Sequence, residues 1–186
     1  MRQFGLIGYP LSHSFSPAYF TEKFEAEGLM DCRYETYPLN NITELLVLLL
    51  RRPHLQGLNV TIPYKKQVIP YLDKRSVEVE KTGACNCIKI IKGKLIGYNT
   101  DVVGFEKSLV PGLASHHTKA LILGSGGAAA AVEYVLKKLG LPVTFVSRQK
   151  SAADCLSYGQ LNEEILNQHQ LIINTTPLGM SPKVET

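Results

Sequence analysis

The sequence predicts an α/β fold in two parts, the first built on a mostly parallel sheet. Short apolar runs alternate with amphipathic stretches along the chain, the pattern of strands and helices in turn. A Pro-Gly break at Pro111-Gly112 interrupts that alternation, and such breaks mark linkers. Beyond it, a glycine-rich turn, Gly124-Ser125-Gly126-Gly127, joins an apolar run to a helical one. These observations divide the 186 residues into segments 1–110 and 111–186.

Phe4 to Gly8 reads as the first strand, followed by a turn-rich loop from Tyr9 to Pro17. A helix follows over Ala18 to Glu27, stopped by Gly28, a residue that accepts the left-handed backbone at a helix end. Cys32 to Leu39 alternates as a strand does, and Asn41 is placed to cap a helix that ends before Pro53. Gln56 to Thr61 is the third strand, and Pro63 opens the next helix. Ala84 to Ile91 and Lys94 to Tyr98 form a hairpin about Lys92-Gly93, after which Asn99 to Ser108 is helical. In the second part, Ala120 to Leu123 is a buried strand and Ala128 to Leu139 a helix ended by Gly140. Pro142 to Val146 is the next strand, one or two short helices follow, and Leu171 to Asn174 is the last strand.

Composition removes several classes of function. Hydrophobic residues make up 45% and charged residues 19%, ordinary values for a globular protein. The longest aliphatic run, Leu45 to Leu50, is far short of the roughly 20 residues a bilayer requires. The N-terminus lacks the apolar centre and small-residue cleavage site of a signal peptide, so a cytoplasmic protein is expected. The net charge of +4 is spread out, without a basic run interleaved with aromatics, so nucleic acid is not an expected partner. Of the four cysteines, only Cys85 and Cys87 are close, and one Cys-x-Cys pair is not a zinc motif. Buried free thiols and no metal are expected.

The glycine turn carries the clearest chemistry. Between a strand and a helix, Gly124 permits the tight bend, Gly126 lets the backbone approach a pyrophosphate, and Ala129 allows close helix–strand packing. The N–H groups at the helix start, with Gly127 and Ala128, then face an anion. The second part is therefore expected to be a Rossmann-like nucleotide-binding domain, carried incompletely. Dinucleotide folds that prefer NAD place an acid at the end of the next strand. Here that strand runs into Ser147-Arg148-Gln149-Lys150. A guanidinium grips a 2′-phosphate that a carboxylate would repel, so Arg148, with Ser147 beside it, points to NADP. A solvated basic turn is the competing reading.

In the first part, strands end repeatedly in small polar residues: Ser14 and Ser16, Asn59 and Thr61 with Lys65, Asn86, and Asn99-Thr100-Asp101. Ligands of open α/β sheets bind beyond strand carboxyl ends. Hydroxyls and amides gathered there suit a small polyhydroxylated ligand, and a lysine can hold its carboxylate or act as an acid. Each residue also has a plain structural reading. Ser14 and Ser16 serve equally as turn or cap residues, Asn59 and Thr61 as caps for the next helix, and Asn86 as a turn residue. Lys65 alone reads as a solvated lysine, and Asp101 alone as the N-cap of a helix from Val102.

Together the segments resemble the shikimate dehydrogenase family along the whole chain. Gly8-Tyr-Pro-Leu-Ser-His-Ser14-Phe-Ser16-Pro17 is similar to its opening substrate loop, and Asn59-Val-Thr-Ile-Pro-Tyr-Lys65 to its Asn-Val-Thr-Val/Ile-Pro-Phe/Tyr-Lys signature. Gly83-Ala-Cys-Asn86, Gly97-Tyr-Asn-Thr-Asp101, Gly124-Ser-Gly-Gly-Ala128 and Asn174-Thr175-Thr176-Pro-Leu-Gly-Met180 resemble its later segments. The resemblance implies NADP-dependent, reversible reduction of 3-dehydroshikimate to shikimate, in the pathway to aromatic amino acids. It implies Lys65 and Asp101 as the catalytic pair, with Ser14 and Ser16 on the substrate carboxylate. Asn59, Thr61 and Asn86 would be further substrate contacts. Gly124, Ser125, Gly126, Gly127, Ala128, Ser147, Arg148, Lys150, Thr175, Thr176 and Met180 would lie on the cofactor side. The family pattern Asn-Arg-Thr stands here as Ser147-Arg148-Gln149, so the arginine carries over most firmly. The resemblance also implies more sheet and a C-terminal helical segment with a substrate-contacting Gln, neither of which is within the 186 residues. A monomer or homodimer is expected. The alternatives are a quinate/shikimate dehydrogenase of broader specificity and a shikimate-binding module or fragment without turnover.

Overall fold

The computed structural model describes residues 1–12, 14–148 and 155–179, and their packing separates two units, Met1–Asn99 and Thr100–Thr186. The first unit contains β1 (Arg2–Gly8), α1 (Ser16–Ala26), β2 (Cys32–Pro38), α2 (Glu44–Arg51), β3 (Leu55–Val60), α3 (Tyr64–Gln67), β4 (Lys74–Arg75), α4 (Val77–Thr82), β5 (Cys87–Ile91) and β6 (Lys94–Tyr98). The sheet order is β2-β1-β3-β5-β6-β4. β1 pairs parallel with β2 and β3, β5 runs antiparallel to β3 and β6, and β4 is parallel to β6. The carboxyl ends of β1, β3 and β6 therefore share one sheet edge with the amino end of β5.

Strand alternation sends Ile7, Leu58 and Ile88 to one face, where they are fully buried against Leu45, Val68 and Val79. Each such side chain contributes about 1.5–3 kcal/mol relative to exposure. The opposite face meets the aromatic stripe of α1. Phe20 stacks on Tyr34 at 4.5 Å between ring centroids, and Phe24 lies 5.8 Å from Phe4.

The second unit contains α5 (Thr100–Leu109), β7 (Ala120–Leu123), α6 (Gly127–Lys138), β8 (Val143–Val146), β9 (Cys155–Leu156), α7 (Glu163–Asn167) and β10 (Leu171–Asn174). Its strands are all parallel, in the order β10-β7-β8-β9. Ala120 and Ile122 pack on Ala129, Val132 and Leu136 of α6, and Phe105 and Leu109 of α5 close over them. Val102 packs with Ala131 and Val135. These contacts draw α5 into the second unit. Packing thus divides the chain ahead of Pro111-Gly112, which sits at the end of a 3-10 turn over Val110–Gly112.

Other differences are local. α4 was not expected between the third strand and the hairpin. It is capped by Ser76, whose hydroxyl accepts from the Val79 N–H, and ended by Gly83 in the left-handed region at φ 60°. Asn41 does not cap α2. Its Oδ1 accepts from the Thr43 N–H and hydroxyl, and the helix begins at Glu44. Asp101 is not an N-cap, because α5 begins at Thr100 and holds Asp101 in its first turn.

Candidate functional site

The edge of the first sheet gathers the polar segments. The Thr61 N–H donates to the Ile7 carbonyl at 2.9 Å and the Tyr9 N–H to the Ile62 carbonyl at 3.0 Å, so the loops after β1 and β3 lie side by side. A Cβ at Gly8 would collide with the methyl group of Thr61; only glycine lets these loops approach. The Val60 N–H donates to the Asn86 carbonyl at 2.8 Å, the Asn86 N–H to the Tyr98 carbonyl at 3.1 Å, and the Cys85 N–H to the Lys65 carbonyl at 2.7 Å. Three backbone links thus bring Lys65, Asn86 and the end of β6 together.

Ser14, Ser16, Asn59, Thr61 and Lys65 are half-buried there, and Asn86 is buried. Lys65 is therefore not the fully solvated lysine of the plain reading. It lies on α3 next to Tyr64, whose buried hydroxyl donates to the Leu39 carbonyl at 2.5 Å and anchors the helix. Asn59 does not cap α3: its Oδ1 accepts from the Tyr34 hydroxyl at 2.7 Å. Burial pushes the Tyr34 phenol up to about 12, opposed by a hydrogen bond from Ser16. Asn99 is buried, and its Nδ2 donates to Thr82 Oγ1 at 3.0 Å and to the Ala84 carbonyl at 3.1 Å, which pins the end of β6. Asp101, half-buried, stands two residues further along the chain and belongs to the second unit.

A separate hollow of the first unit lies elsewhere. It measures about 1320 Å³ and runs over the α1 face of the sheet past Phe4, Phe24, Gly57 and Ile91, reaching Asn59 at one end. Its largely apolar lining does not suit a polyhydroxylated ligand, so the strand-end cluster, not this hollow, is the candidate substrate site. Cys32, Cys85 and Cys155 are buried free thiols, while Cys87 is only half-buried. Among the described residues no three His, Cys, Asp or Glu side chains gather as a metal site.

In the second unit the chain passes from β7 outward to β8 and β9, then returns to β10 on the other side of β7. The order reverses between β7 and β10, and ligands of open α/β sheets bind at such a crevice. The glycine turn lies there. Gly124 has φ +103°, and a Cβ on it would come within 3.0 Å of Thr175 Oγ1. Thr175 is held by its hydroxyl and N–H on the Leu123 carbonyl, at 2.6 and 2.9 Å, and Thr176 by the Asn174 side chain. Around Gly126, an added Cβ meets nothing within 4 Å. Gly126 is also the N-cap of the 12-residue α6 and gives it no side-chain hydrogen bond. The first N–H groups of that helix are thus left for an anion beside an open backbone, an arrangement that fits a dinucleotide pyrophosphate. Gly127 begins α6, and Ser125 and Ala128 are exposed beside it. Ser147 is buried after β8, with its N–H on the Leu156 carbonyl at 2.9 Å, and Arg148 is exposed at the next position. Lys150 and Met180, expected on the cofactor side, lie outside the described residues.

Two residues of the first cluster were missing from the expected site. Tyr34 reads as a core position of an alternating strand, and only the 2.7 Å bond to Asn59 reveals it. Asn99 is one of the polar strand-end residues in the sequence, but its burial is not legible from the residue type.

No helix among the described residues is long and apolar enough to cross a membrane. The family model for the shikimate dehydrogenase substrate binding domain matches residues 6–88. The shikimate dehydrogenase (NADP(+)) of Carboxydothermus hydrogenoformans is 37% identical over 195 residues, spanning 96% of this chain and 69% of the relative. The crystal structure of the Thermus thermophilus shikimate 5-dehydrogenase, in complex with NADP(H) and shikimate, superposes with a TM-score of 0.82 at 32% identity, covering 96% of this chain and 70% of that one. The quinate dehydrogenase of Corynebacterium glutamicum, in complex with NAD, superposes with a TM-score of 0.83 at 27% identity, covering 100% of this chain and 74% of that one.

Proposed function

The chain belongs to the shikimate dehydrogenase family, and from that premise we propose which of its side chains carry the reaction. The protein is an NADP-dependent oxidoreductase acting on a CH–OH group, and it interconverts 3-dehydroshikimate and shikimate on the route to aromatic amino acids. NADP supplies the hydride chemistry when bound. Lys65 delivers a proton to the substrate oxygen as the ketone is reduced, and removes it in the oxidising direction. Asp101 is its partner and keeps the ammonium oriented. Ser14 and Ser16 hold the substrate carboxylate, and Asn59, Thr61 and Asn86 bind its remaining polar groups. On the cofactor side, Gly124 to Ala128 seat the pyrophosphate, Ser147 and Arg148 take the 2′-phosphate, with Lys150 as a second basic group, and Thr175, Thr176 and Met180 line the remainder. The units Met1–Asn99 and Thr100–Thr186 serve as substrate and nucleotide domains, and the enzyme works in the cytoplasm as a monomer or homodimer.

The observation that supports this reading most is the shared edge of the first sheet, where Ser14, Ser16, Asn59, Thr61, Lys65 and Asn86 come from three separate segments. The choice of NADP rests on chemistry after β8, where the position an acid would occupy holds Ser147 and Arg148.

The test is a spectrophotometric assay of the purified chain with shikimate and NADP. NADPH formation that requires both is expected, with a higher kcat/KM for shikimate than for quinate and for NADP than for NAD. Equal efficiency with quinate and NAD would move the reading to the broader enzyme, and binding of shikimate without turnover would move it to a binding module.

A further inference from the structure

We propose that Tyr34 is a positioning residue of the substrate site: its hydroxyl fixes the amide of Asn59 so that the NH2 group, rather than the carbonyl, is left for an oxygen of the bound substrate. The inference rests on the proposed role of Asn59 and goes beyond it by assigning what orients that side chain.

Tyr34 lies on β2, one strand removed from β3, and Asn59 is the penultimate residue of β3. Their side chains meet over the α1 face, where Tyr34 Oη stands 2.7 Å from Asn59 Oδ1. That separation is typical of O–H···O and short for N–H···O, so the phenol donates and the amide oxygen accepts. An amide oxygen held in this way leaves both N–H donors on Nδ2 available. Those donors can serve a carboxylate or hydroxyl oxygen; a carbonyl in their place would repel the carboxylate.

The donor is itself held firmly. The Tyr34 ring is buried at 9% exposure and stacks on Phe20 with an interplanar angle of 15°. Ser16, at the start of α1, acts on the same phenol in the opposite sense to burial. Burial raises the phenol to about 12, so it remains a protonated donor through neutral pH. Tyr34 and Asn59 therefore tie β2 to the end of β3 through one side-chain hydrogen bond. The sequence motifs for the substrate include Asn59 and omit Tyr34.

The experiment is calorimetric titration of shikimate into the chain and its Tyr34→Phe variant, which keeps the ring and its stacking. Loss of a single orienting hydrogen bond is expected to raise the shikimate Kd about fivefold to tenfold. NADP affinity should be unchanged, and the thermal midpoint should fall by only a few degrees. In an Asn59→Ala background the same Tyr34→Phe change should weaken shikimate no further, because the two residues act as one unit. Wild-type affinity in Tyr34→Phe, or an equal loss with and without Asn59, overturns the inference while leaving the functional reading intact. A wild-type chain that binds NADP but not shikimate overturns the functional reading, and this inference with it.

Discussion

Replacing Gly126 by valine separates the stability of the glycine turn from its use. Gly126 has φ −79° and ψ −168°, an extended backbone that a β-branched residue adopts without strain. Nothing lies within 4 Å of an added Cβ. The structural cost is then confined to a poorer N-cap, about 1 kcal/mol, or a fall in Tm of roughly 2–4 °C for a protein of this size. The cost to the nucleotide is larger. The valine methyls fill the space over the first N–H groups of α6, and losing one charge-assisted hydrogen bond there costs about 1.5–3 kcal/mol. At a factor of ten per 1.4 kcal/mol, the KM for NADP should rise about 10- to 140-fold. The assay is initial rate against NADP at saturating shikimate, with circular dichroism melting of the same samples. A folded Gly126→Val protein with unchanged KM for NADP would refute the helix start as the phosphate seat, and a collapse of stability would refute the open space around Gly126. Gly124 provides the contrast. At φ +103° and with Thr175 close by, its replacement by alanine should unfold the turn itself.

Arg148→Ala should lower kcat/KM for NADP at least about tenfold while leaving the value for NAD within a few-fold, since only the former carries a 2′-phosphate; parallel losses with both cofactors would remove Arg148 from phosphate recognition. At the surface, Arg2 and Asp31 form a two-point ion pair at 2.8 Å, and the hydrogen bond from Arg2 lowers the Asp31 carboxyl from 3.8 to about 2. Because the folded value is depressed, the stabilisation is present above the unfolded pKa and disappears as pH falls through the folded one. The Tm gap between wild type and Asp31→Asn should therefore be constant at neutral pH, shrink below about pH 4, and be lost only as pH falls past about 2, and high salt should reduce it. Both groups are exposed, so the gap should be small; a gap at pH 2 undiminished from its neutral value would contradict the assignment.

How much of this was legible in the sequence depended on whether local signals agreed with packing. β6, β7 and β10 have the bounds that alternation and the turn at Lys92-Gly93 indicate, because apolar period and punctuation coincide there. α4 was missed because Val77 and Val79 favour strands, and its cap at Ser76 and stop at Gly83 outweighed them only once Val79 was buried. β4 and β9, two residues each, have too little pattern to be seen. α5 joined the second unit because Phe105 and Leu109 pack beneath α6, a tertiary contact that a Pro-Gly linker signal cannot register. In the site, the chemistry-bearing types at strand ends were readable, since motifs record which atoms a ligand needs. Tyr34 was not, because its contribution is a contact between strands that are brought close only through sheet order.

The proposed proton transfer at the strand-end cluster runs through Lys65. Its most direct test is kcat of Lys65→Ala with shikimate and NADP, alongside calorimetric affinity for shikimate. A loss of at least about a hundredfold in kcat, with the protein folded and shikimate still bound, is the predicted result; a variant that turns over at the wild-type rate would contradict the account.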